Sequence, residues 1–155
     1  MRRLVILLMA VAVMASTATA AGAAPPVTET NNVHGGTETF IDVAPTCEEG
    51  GPLYEITLTF NAVEHTTAFA DGRFHATFTQ TGEFVAVPFG HTGPGASGHF
   101  TVWGGFNQNE KSVNGTFTFN VNGQFDDGTR ISTHLVDHFN ETPGGAAFFF
   151  THCHD

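Results

Sequence analysis

The chain is short of positive charge. It has five Lys and Arg residues against fifteen Asp and Glu, for a formal net charge of −10. Two of the five, Arg2 and Arg3, open the sequence. Only Arg73, Lys111 and Arg130 follow, so the chain without its first residues carries −12. Phosphate backbones are held by clustered Lys and Arg, which excludes nucleic acid as a partner. The same deficit disfavours an anionic membrane surface, and the acidity suits a soluble exported protein. Catalytic and cofactor motifs are also missing. Gly95-Ala96-Ser97-Gly98-His99 fails the G-x-S-x-G nucleophile elbow at its last position. Asp126-Asp127-Gly128 with Asn122 does not match the D-x-[DN]-x-[DN]-G calcium loop and reads as a turn. Helical periodicity longer than a turn is absent after the N-terminal segment. No cofactor, no metal and no catalytic residue set is expected.

Cysteine is scarce too. There are two, Cys47 and Cys153. The N-terminus says which compartment they meet. Arg2 and Arg3 precede an uncharged apolar stretch, Leu4 to Ala15. Small residues follow, and Ala18-Thr19-Ala20 fits the small-x-small cleavage rule. The apolar stretch is shorter than the roughly 20 residues a membrane span needs. Residues 1–20 are therefore expected to be a secretory signal, with no transmembrane segment after cleavage and a secreted, extracellular product. In an oxidising compartment a lone cysteine pair bridges, so a Cys47–Cys153 disulfide is expected.

What is abundant is the vocabulary of strands. Phe numbers sixteen, and Thr is dense. Residues 21–34 lack periodicity and are expected to form a flexible leader. From residue 35 the apolar pattern alternates with period two. Tyr54, Ile56, Leu58, Phe60 and Ala62 share one face of a strand; Phe74, Ala76 and Phe78 do so in the next. Phe117, Phe119, Val121, Gly123 and Phe125 alternate straight through Asn122-Gly123, which places the turn at Asp126-Asp127-Gly128 instead. Asp71-Gly72 and Thr81-Gly82 are read as turns. The expectation is one all-β domain over residues 35–155: about eight antiparallel strands in a meander, a closed barrel preferred over a two-sheet sandwich. A monomer is expected.

Candidate site residues come from the polar parity of these strands. His75, His99, His134 and His138 fall on it, among nine histidines in all. His134 and His138 are four apart, about 13 Å along a strand, too far to share one ion. His152 and His154 flank Cys153 and share a face at about 7 Å. Trp103, the only tryptophan, lies on the same parity as His99 and could stack on a sugar or an aromatic ligand. Trp103, His99 and His134 are the candidate ligand-binding residues. Asp137 stands out for its inward parity among Ile131, Leu135 and Phe139, where a carboxylate is costly unless paired or near a strand end.

The signal and the strand rhythm resemble the uncharacterised small secreted β-domain proteins of Gram-positive bacteria. That resemblance implies the compartment and the fold class and carries no site residues. The functional expectation is a secreted, non-catalytic binding or surface-interaction domain. Its partner would be a small ligand, an apolar one being the first candidate, or an extracellular molecule. The alternative is a small β-barrel enzyme, an isomerase, cyclase or hydrolase, using His and Asp at the barrel mouth.

Overall fold

Residues 24–47, 50–142 and 147–154 are described by a computed structural model, the side chains of 148–150 excepted. The expected signal segment lies outside them, as does Pro143-Gly144-Gly145, where proline and glycine predict a break before the last strand. Seven strands follow one another: β1 Val27–Val43, β2 Leu53–Ala68, β3 Phe74–Pro88, β4 Ala96–Asn109, β5 Ser112–Phe125, β6 Arg130–Glu141 and β7 Ala147–His154. They form one antiparallel meander in the order β1-β2-β3-β4-β5-β6-β7. The domain is all-β, as the period-two alternation requires.

Three expectations change. The strands number seven, not eight, because Thr81-Gly82 is not a turn. β3 runs through it, with Gly82 paired to Phe60 on one side and Phe100 on the other. A Cβ on Gly82 would lie 2.1 Å from the carbonyl oxygen of Thr59. The glycine is there for close strand approach, not for chain reversal. Second, the sheet is open. Among the described residues β1 pairs only with β2, and β7 only with β6. A ladder between the edges is replaced by the connection after β1. Thr133 Oγ1 of β6 donates to the Pro45 carbonyl at 2.7 Å, and Cys47 is disulfide-bonded to Cys153 of β7. This segment lies against the last two strands where β1 itself would have to pair in a barrel. Third, β1 begins inside the stretch expected to be a leader. Val27–Val33 pairs with Ala62–Ala68, and a bulge with Gly35 at positive φ separates this half from the Gly36–Val43 half. An edge strand needs only one partner, so this segment pairs without the apolar alternation that would have marked it in sequence.

The turns at Asp71-Gly72 and Asp126-Asp127-Gly128 form as read. Gly72 and Gly128 take positive φ, and each donates its N–H back to Phe69 and Phe125 respectively. The inner face rolls around a buried cluster: Tyr54, Ile56 and Leu58 of β2, Phe84 and Ala86 of β3, Ala96 and Phe100 of β4, Val121 of β5 and Ile131 of β6. Phe40 and Ala44 pack on it from the β1 side. Aromatic and glycine residues alternate across the strands here. Phe60 sits between Gly36 and Gly82, and Phe84 adjoins the directly paired Gly98 and Gly123. A large ring beside a bare Cα lets neighbouring backbones close up and the sheet curl tightly.

Candidate binding face

The outer parity is polar along the middle of β2 to β6, with exposed Ile41, Leu53, Val85 and Val87 at one end, and the register turns the polar part into rows. Glu83, His99, Asn122 and Ser132 are successive cross-strand partners on β3 to β6. The adjacent row reads Asn61, Thr81, Thr101, Asn120, His134 and His154. The next reads Val63, Thr79, Trp103, Thr118, Val136 and His152. His65, Thr77, Gly105, Thr116 and His138 follow. Between the first two rows runs a trough of about 510 Å³, floored by Phe60, Gly82 and Phe100 and walled by Thr, Asn, Glu83 and His99. A smaller one of about 290 Å³ lies beyond, over Gly105 and Gly115. Gly82 and Gly105 carry no side chain.

All three candidate ligand residues stand on this face. His99 lines the large trough. His134 is one strand beyond Asn120, and its Nδ1 bonds the Asn120 Oδ1 that faces the trough. Trp103 is 39% exposed, two residues past Thr101 on the same strand and between the two troughs. The register sets all three on one face, but His99 alone of them lines the trough; His134 and Trp103 stand in rows beside it. Sequence reading missed the residues between them: Asn120, Asn122, Thr101 and Glu83. Their parity was legible, but only the pairing register sets Asn122 opposite His99 and Asn120 opposite His134.

The histidines of the face are mostly satisfied by the residue directly across. His65 Nδ1 meets Thr30 Oγ1 at 2.8 Å, His75 Nδ1 meets Asn107 Oδ1 at 2.7 Å, and His138 Nδ1 meets Thr116 Oγ1 at 2.8 Å. A carboxamide oxygen only accepts, so His75 and His134 must donate from Nδ1 and leave Nε2 as the outward acceptor when neutral. Among the described residues no three His, Cys, Asp or Glu donors are placed to hold a metal ion. His134 and His138 are separated along β6 as expected. The rings of His152 and His154 come within 4.2 Å of one another on the outer side of β7.

A His–carboxylate pair facing a pocket would be the mark of acid–base chemistry. His99 Nδ1 stands 3.9 Å from Glu83 Oε1, beyond hydrogen-bond reach, with both side chains largely in solvent. Asp126 and Asp127 serve their turn. Asp126 Oδ2 accepts from the Gly95 N–H and Asp127 Oδ1 from the Thr129 N–H, both at 2.9 Å. The backbone bond from Thr129 holds the Asp127 carboxyl below the usual carboxylate value. Ser97 lies within β4, not at a strand-to-helix elbow. Asp137 is not at a strand end: β6 continues to Glu141, and its inward side chain is half-buried. Set beside known proteins, the chain matches no family model, no curated protein and no solved structure.

Proposed function

We propose that this is an exported, non-catalytic binding domain that presents the polar face of β2 to β5 to a neutral, hydroxyl-rich ligand of the oligosaccharide kind. The observation that carries the reading is the large trough. Its walls are mostly Thr and Asn side chains, which donate and accept alike, as sugar hydroxyls do, with Glu83 and His99 along one side. Its volume falls in the range of small-ligand sites. No Lys or Arg lines it, which weighs against phosphorylated or sulfated ligands. Trp103, exposed beside it, offers a flat apolar surface for the face of a pyranose ring. The signal-like N-terminus and the disulfide support export. The packed cluster near the disulfide fills that end of the interior with side chains, which weighs against a small apolar ligand there. The enzymatic alternative has no comparable support, given how His99 and Glu83 stand.

The test is calorimetric titration with a panel of neutral oligosaccharides. A ligand should be found whose affinity falls about tenfold, or ~1.4 kcal/mol, in Trp103→Ala. Asn120→Ala should weaken the same ligand to a lesser degree. Uniform failure of the panel, or a ligand indifferent to both substitutions, would sink the reading.

A further inference from the structure

The inner face is divided. The buried cluster occupies the half nearest the disulfide. The other half carries a second set of aromatic rings outside that cluster. Phe78 and Phe117 are 5.6 Å apart, Phe117 and Phe139 stack nearly parallel at 5.5 Å, and Phe74 and Phe106 are 5.5 Å apart. One row defines this half: Glu64, Phe78, Gly104, Phe117 and Asp137 are successive partners from β2 to β6. Gly104 lets the two rings meet across it.

Two polar atoms lie without a hydrogen-bond partner, one in this half and one at its border with the cluster. Asp137 Oδ1 is shielded from solvent and has no hydrogen-bond partner. Gln80, two residues from Phe78 and on the same face, is 3% exposed, and its Nε2 is likewise unpartnered. Each such atom is costly, and native proteins leave few of them without a reason. A carboxylate can only accept, so it asks for a donor. The carboxamide nitrogen only donates, so it asks for an oxygen.

Charge decides between a neutral donor and a cation. Glu64 shares the row with Asp137, and the three basic residues after the N-terminal segment are elsewhere. Arg73 precedes β3 and pairs with Asp71, Lys111 sits in the β4–β5 turn, and Arg130 is on the outer parity. Phenyl faces are themselves attractive to cations. We propose that the Phe-lined half of the interior is a second binding site, for an apolar amine, with Asp137 as its counter-ion and Gln80 Nε2 donating to an oxygen on the ligand body. This site is independent of the oligosaccharide face and does not rest on that reading.

The probes are three ligands with one body: 2-(1-naphthyl)ethylamine, 2-(1-naphthyl)ethanol and 1-naphthylacetate, titrated calorimetrically into the disulfide-bonded chain. The amine should bind at least about tenfold more tightly than the alcohol, and the carboxylate most weakly. Asp137→Asn should erase the preference for the amine while leaving the alcohol unchanged, and its thermal midpoint should not fall, because the shielded Oδ1 has no partner to lose. If that variant does not fold, Glu64→Gln serves, with a preference reduced severalfold. A hydroxyl added to the naphthyl ring, away from the amine, should strengthen binding in the parent and not in Gln80→Leu. Equal affinity for the three probes, or binding of none, overturns the proposal. Neither result touches the Trp103 experiment, which reads the opposite face.

Discussion

A methyl carbon added at Gly82 would stand 2.1 Å from the Thr59 carbonyl oxygen and 2.8 Å from the Phe60 Cα. Both obstacles are backbone, so neither can swing aside. On the other side of β2 the ring of Phe60 covers Gly36, where a Cβ would meet Cε2 and Cζ at 2.8 Å. Gly98 and Gly123 repeat the device, each within 2.5 Å of the other strand's carbonyl oxygen if given a Cβ. Packing here is between rings and bare backbone, and glycine is part of the core. Gly82→Ala should therefore destabilise the domain by about 1–3 kcal/mol, the usual cost of overpacking. Gly51→Ala, where a Cβ meets nothing and φ is ordinary, should stay within about 0.5 kcal/mol. Urea unfolding of the two variants checks the contrast. Similar losses at both sites would mean that the close approach at Gly82 relaxes freely.

At the scale of the element, the turns show how little sequence is needed to reverse a strand. Asp71 Oδ1 accepts from the Arg73 N–H, and Asp127 Oδ1 from the Thr129 N–H. In each case the backbone bond leads the effects that lower the carboxyl below its ordinary 3.8. A carboxyl depressed in the folded state stabilises the fold fully above 3.8, and that contribution fades as pH falls through the depressed value. Converting both residues to Asn should therefore cost some stability at neutral pH and flatten part of the acid-side decline. Urea midpoints followed from neutral pH to below 3.8 would show it; parallel curves for parent and variant would refute it. These turns were legible because Asp-Gly states its own conformational need. So were the inner parity of Gly104 and Gly123 and the outer parity of Trp103, His99 and His134, since period two fixes both. Thr81-Gly82 misled because a glycine kept for close approach is written the same way as one kept for a turn. The first half of β1 was invisible because an edge strand draws its hydrogen bonds from one neighbour and needs no buried side. The trough was out of reach for a different reason. Residues such as Asn122 and His99 are 23 positions apart, and only the register joins them.

For the whole molecule, the open question of a meander is what happens at its two edges. A barrel removes them by pairing first strand with last. Here a connection does the closing: residues 44–47 reach the far edge, tied by the Thr133–Pro45 hydrogen bond to β6 and by the disulfide to β7. β1 keeps an outer edge of its own, interrupted by the bulge between Val33 and Gly36 and carrying Glu29, Glu38 and Asp42, features that discourage another strand from adding to it. The roll of the sheet, and with it the burial of Tyr54 and Ile131 in one cluster, then depends on how firmly the strap holds. The bridge spans 106 residues of sequence, and a loop of about 100 contributes ~4.7 kcal/mol in the chain-entropy account. Replacing Cys47 and Cys153 together by Ala should lower stability by most of that amount. Because every strand among the described residues pairs with its sequence neighbours alone, the same variant should keep its far-ultraviolet β-signal while exchange of the Tyr54 and Ile131 amides accelerates more than that of the β3–β4 hairpin. If the loss is under about 1 kcal/mol and exchange rises evenly, the Thr133–Pro45 contact and ring packing hold the roll by themselves. The disulfide would then be a safeguard of the folded chain and not the clamp of its fold.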